Sequence, residues 1–159
     1  MMRLALAATL LAGCRLSLDS ETVDRTCSVG TSQQCLDAVN APATLAWIET
    51  NIFMQSCDFS GCHSGAPGNE SPLDLSPGHS AASLVNATSI EDGSRKLVVP
   101  NDVEASYLML MLQDVAPANA SPAAAGLPPP GPMPQSADPL CCQKLEVLER
   151  WINAGAPTS

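Results

Sequence analysis

Apolar residues fall in separated runs whose spacing changes along the chain. From Leu4 to Gly13 the run LALAATLLAG is almost unbroken, yet much shorter than the ~20 residues that a membrane-spanning helix needs. Residues 15 to about 40 are polar with no sustained apolar period, which predicts a tether rather than a packed element. Helical spacing begins in ATLAWIETNIFMQ, residues 43–55, where Leu45, Ile48 and Ile52 recur on one face with Trp47 and Met54 beside them. GAPGNESPLDLSPGHS is rich in Gly, Pro and Ser and reads as loop, and SAASLVN has room for one or two helical turns.

A second helix is predicted over residues 101–113, with Asn101 and Glu104 as a capping box. Residues 114–137 then carry seven prolines and two glycines, so no regular element runs through them. A loop this long in a compact domain needs a functional reason or is disordered. The last segment reads as a complete helix. Asp138 is the predicted N-cap and Pro139 opens the first turn; Cys141, Leu145, Leu148 and Ile152 share one face, and Gly155 is the stop. The pattern predicts a small, mostly α-helical body with long Pro-rich loops and few strands.

Composition alters this picture in two ways. The 159 residues suit one domain with appendages, but only 3% are aromatic, which leaves few large side chains to offset the entropy of ordering. Seven cysteines supply an alternative, because disulfides or a covalently held group replace missing core in small exported domains. The formal net charge of -9 argues against nucleic acid as a partner and favours a protein with a basic docking patch.

The beginning of the chain adds a destination. Arg3 precedes the apolar run, which closes on LAGC. This resembles a bacterial lipoprotein signal. The resemblance implies cleavage after residue 13, lipid on Cys14 and a tether over 14–40. A flexible chain of roughly 25 residues reaches about 25–30 Å. The resemblance also implies a membrane contact through the anchor alone. Arg15, rather than Asp, follows the cysteine, and by the sorting rule of enteric bacteria this directs the protein to the outer membrane, facing the periplasm.

The candidate chemistry is concentrated in SCDFSGCHSG, residues 56–65. Covalent haem attachment needs two thiols to add to the porphyrin vinyl groups and an imidazole next to the second thiol. Cys57, Cys62 and His63 stand in that order, with four residues between the cysteines where the usual motif has two. A disulfide between Cys57 and Cys62 is the competing reading, and zinc held by Cys57, Cys62 and His63 ranks below both, since adjacent Cys and His rarely converge on one tetrahedral ion. No phosphate loop, H-E-x-x-H or G-x-S-x-G occurs, so catalytic signatures are missing.

Over about residues 43–156 the order of features resembles the small cytochrome c domains of exported, lipid-anchored bacterial proteins. These features are a helix, CDFSGCH, PLDLSPG, LVVPNDVEASYLMLML, a Pro-Met-Pro loop and a closing helix LERWINAGAP. The resemblance implies a cytochrome c-like domain over 41–159 whose first and last helices pack together. It implies haem c bound through Cys57 and Cys62, with His63 as proximal and Met133 as distal iron ligand, and Trp151 at the family's tryptophan position in the closing helix. His79 is the alternative distal ligand, while Met54, Met109 and Met111 lie on predicted helices and read as core. The implied function is a monohaem electron carrier, not an enzyme, that exchanges single electrons with a redox protein. The alternative is a haem-free, disulfide-bonded envelope lipoprotein that binds a protein partner. An open iron position serving catalysis or gas sensing has little support in the residues.

With Cys14 given to lipid and Cys57 and Cys62 to haem, Cys27, Cys35, Cys141 and Cys142 remain for two disulfides. Two bridges from the last helix to the tether are preferred, because a bridge within the vicinal pair needs a strained ring. Local pairing of Cys27 with Cys35 competes.

Overall fold

The computed structural model describes residues 27–58, 62–65, 73–112, 133–135 and 137–158. The predicted signal, Cys14 and most of the Pro-rich loop lie outside them. The described chain is small and mostly helical, with isolated β-bridges and no strand. Among the described residues no helix is long and apolar enough to cross a membrane.

Helix α1, Gln33–Ala38, lies inside the segment read as tether. Ser32 caps it by accepting from the Cys35 N–H, and Ala38 is buried. Its weak apolar period hid it, because its attachment is covalent. Cys27 pairs with Cys142 and Cys35 with Cys141, one of the two pairings in which both bridges run from the last helix to the tether. The chain from Cys27 onward is therefore docked on the last helix, and α1 packs against it.

The first predicted helix forms as three joined pieces, α2 (Leu45–Ile48), a π-helical turn (Glu49–Phe53) and α3 (Met54–Ser56). Thr44 is the N-cap, accepting from the Trp47 N–H. Within the π-turn, the Thr50 hydroxyl and the Asn51 amide donate to the Ala46 and Trp47 carbonyls at 2.9 Å each. Leu45, Ile48, Ile52 and Phe53 are buried, whereas Met54, expected in the core, is half exposed. It follows the π-turn on the side away from the core.

Helix α4, Ser80–Leu84, is the short element expected there. Glu49 fixes its start, its Oε1 accepting from the Gly78 N–H at 2.9 Å and from the Ser80 hydroxyl at 2.6 Å. Helix α5, Tyr107–Leu112, begins later than predicted. Asn101 does not cap it. It sits at φ 66, and its N–H donates to the Ile152 carbonyl at 2.8 Å, so a tertiary bond claims the group that a capping box would have used. Met109 and Met111 are buried as expected.

Helix α6, Cys142–Asn153, also starts late. Asp138 and Pro139 precede it outside any helix, and the N-cap position belongs to Cys141. The Cys142 N–H is held by the Ser28 carbonyl at 3.0 Å, which secures the first turn to the docked N-terminal segment. The predicted face is correct, since Cys141, Leu145, Leu148 and Ile152 are all buried. So is the stop, with Gly155 in the left-handed region at φ 91. There the Gly155 N–H donates to Ile152 O and the Ala156 N–H to Trp151 O, so the last carbonyls are satisfied by a glycine-terminated turn.

Helix α6 is the hub, packing against α1, α2 and α5. Trp151 is fully buried, and its indole N–H donates to the Pro157 carbonyl at 2.9 Å. It joins Ile48, Ile52, Phe53, Leu84, Val98 and Leu148 in one apolar core, each contributing roughly 1.5–3 kcal/mol by burial.

Candidate functional site

Cys57 is the C-cap of α3, its N–H donating to Phe53 O at 2.7 Å. The His63 N–H donates to the Cys57 carbonyl at 3.2 Å, and His63 O accepts from the Leu75 N–H at 2.7 Å. An antiparallel bridge between Ser64 and Asp74 continues this contact. Gly65 makes the approach possible, because at φ 64 its Cα faces Asp74 so closely that a Cβ would fall on that side chain. The loop from Cys57 to His63 is thus closed at its base by backbone bonds and backed by residues 73–76.

Cys57 and Cys62 are both half-buried free thiols, while the other described cysteines are in disulfides. Burial pushes the Cys57 thiol up to about 12, against a smaller opposing pull from Lys144. Asp58 and Cys62 push the same way as burial. Cys57 is therefore a protonated, weakly nucleophilic thiol near neutral pH.

Burial also lowers the His63 imidazole from its ordinary value, and Asp58 partly restores it. Its Nδ1 is buried without a hydrogen-bond partner. The Asp58 carboxyl is raised by burial first and by Asp74 second, against the pull of His63, and its Oδ1 is likewise buried and unpartnered. Asp74 is held low chiefly by the Ser76 hydroxyl and then by the Ser76 N–H; both bond its Oδ1.

Met133 is half-buried, packed against the main core and also against Tyr107 and Met111. Its N–H donates to Met111 O at 2.9 Å, which ties the end of the Pro-rich segment to α5. Cys57 packs against the same core. His79 lies elsewhere in character. It is exposed at the start of α4, with its Nδ1 3.2 Å from the Ser76 hydroxyl.

Two residues absent from the candidate set belong to this region. Asp58 faces His63 electrostatically. Lys144, only 4% exposed on α6, donates from Nζ to Gln55 Oε1 at 3.2 Å and is lowered by burial, with Cys57 acting in the opposite sense. Lys144 was readable from the sequence as a charge between Cys141 and Leu148 on the apolar face of the last helix; buried lysines seldom occur without a role.

The loop and its surroundings present two free thiols, an imidazole with a buried Nδ1 and a packed thioether, residue types that could hold a covalently attached haem. Among the described residues no group of three or more His, Cys, Asp or Glu is arranged to hold a metal ion, so the zinc reading gains nothing. Comparison with family models, with curated proteins and with solved structures finds no match to this chain.

Proposed function

We propose that this protein is a monohaem c-type cytochrome of the cell envelope that transfers single electrons. One observation carries the reading: Cys57 and Cys62 remain free thiols while the other described cysteines pair, and they bound the loop that ends in His63. Cys57 and Cys62 would hold the haem as thioethers, and His63 and Met133 would bind its iron. The haem supplies one-electron chemistry when bound. The chain's own contribution is to exclude water with the α2, α5 and α6 core and to hold the two ligands on separately anchored segments.

Met133 is favoured over His79 because its side chain packs in the core beside Met111, whereas the His79 ring is exposed and engaged with Ser76. A thioether ligand gives a higher reduction potential than a second imidazole. The acidic charge of -9 suits an electron-transfer partner with a basic patch, and lipid on Cys14 keeps the domain at the membrane.

The test is haem staining of exported protein followed by a pyridine haemochrome spectrum. A red product with thioether-type haem is expected. A colourless, correctly exported protein would leave the haem-free, disulfide-bonded partner-binding lipoprotein as the reading, which the two disulfides also suit.

A further inference from the structure

The loop from Cys57 to His63 holds two complementary buried atoms without partners, a ring nitrogen on His63 and a carboxylate oxygen on Asp58. Orphaned buried groups are uncommon and ask for an explanation. Every other polar group of His63 that the fold uses is committed: its N–H to Cys57 and its carbonyl to Leu75. The backbone is pinned on both sides, and only the ring awaits a bond.

Two carboxylates stand in this neighbourhood, and they are not equivalent. Asp74 Oδ1 is occupied by the Ser76 N–H and hydroxyl. Asp58 Oδ1 is free, and Asp58 lies directly after the first attachment cysteine, in the stretch that lengthens this loop beyond the usual spacing. Asp58 and His63 are coupled electrostatically, but in this structure their two free atoms are not bonded to each other.

We propose that Asp58 is a positioning residue for His63, its carboxylate accepting the hydrogen bond of the Nδ1–H and so leaving Nε2 as the nitrogen that faces iron. A charged acceptor behind a ligating imidazole fixes the tautomer and raises the ligand's basicity, which lowers the reduction potential of the iron it holds. The contact itself is independent of haem. Its effect on potential rests on the haem reading above.

The experiment uses the full exported chain, 15N-labelled at histidine, with Asp58→Ala and Asp58→Asn as variants and His79→Gln to assign the two rings. If the protein is red, the His63 Nδ1–H of the reduced form is expected to exchange with solvent about tenfold faster in Asp58→Ala, as loss of a charge-assisted bond implies, and the midpoint potential rises. In Asp58→Asn, whose amide oxygen still accepts, exchange stays slow and the potential rises part of the way. If the protein is colourless, the Nδ1–H tautomer of His63 is expected to dominate in the parent and in Asp58→Asn and to give way to Nε2–H in Asp58→Ala. Unchanged exchange and potential in the red protein, or an unchanged tautomer in the colourless one, overturns the assignment of Asp58. Colour alone decides the haem reading, so the two failures are distinguishable.

Discussion

Gln143 satisfies both backbone groups of Gly30: its Oε1 accepts from the Gly30 N–H at 3.0 Å and its Nε2 donates to the Gly30 carbonyl at 2.7 Å. A side-chain amide here does what a neighbouring strand would do. It seats the N-terminal segment on α6 between the two disulfides. A Cβ on Gly30 would collide with Cys35 Sγ and lie 2.9 Å from Cys141 Cβ. Gly30→Ala is expected to cost about 1–3 kcal/mol by overpacking, and Gln143→Ala a similar amount through two unsatisfied backbone groups. Urea unfolding of oxidised protein measures both.

The disulfides close long loops, with separations of 115 and 106 residues, but they run in parallel. Once one is formed, the other closes only the short circuit through residues 27–35 and 141–142. Chain entropy grows with the logarithm of loop length, so the two contributions are not additive. Removing Cys27–Cys142 alone by paired serine substitution is expected to cost about 2–3 kcal/mol, and removing both bridges a further amount of about 3–5 kcal/mol. Equal, additive losses in denaturant titrations would contradict this.

Glu49 is buried and joins two elements, its Oε1 bonded to Gly78 and Ser80. Glu49→Ala leaves both donors without that acceptor and is expected to destabilise by about 2 kcal/mol. Amide exchange should locate the loss in residues 78–84, with α6 little affected.

Lys144 carries a pH signature. Burial lowers its folded-state value from the ordinary 10.5, so between the two values the unfolded chain binds more protons and stability rises with pH. The benefit is complete above the unfolded value and is lost as pH falls through the folded one. Lys144→Met should remove that alkaline rise and, by relieving a buried charge that has no carboxylate partner among the described residues, stabilise the protein at neutral pH by about 1 kcal/mol. Thermal melts of both proteins across the alkaline range test the sign.

Met133 and His79 are separated by spectroscopy. The ferric protein is expected to show the far-red sulfur-to-iron charge-transfer band, Met133→Ala to abolish it and His79→Ala to leave it unchanged. Absence of the band from the parent protein would rule out Met133 as the ligand, and loss of the six-coordinate spectrum in His79→Ala would then assign His79 instead.

Much of the fold was legible because it rests on local periodicity. The spacing of Leu45, Ile48 and Ile52 gave the first helix, that of Cys141, Leu145, Leu148 and Ile152 the buried face of the last, and Gly155 its end. Helix starts were read less well. Asn101 and Asp138 have the side chains of caps, but the bonds that set the starts are made at long range, by Asn101 to Ile152 and by Cys142 to Ser28.

The sequence by itself determined which residues carry the candidate chemistry, because two cysteines and a histidine in one short loop are a property of order along the chain. It also limited the four remaining cysteines to a few pairings. Only the tertiary structure decided that Cys27 and Cys35 join Cys142 and Cys141, since proximity across more than a hundred residues depends on how α1 and α6 pack. It also decided that Asp74 and Lys144 lie close to the loop, and that Asp58 Oδ1 is buried without a partner while Asp74 Oδ1 is bonded to Ser76. Burial and hydrogen-bond occupancy are sums over neighbours from the whole chain, and periodicity along one segment does not contain them.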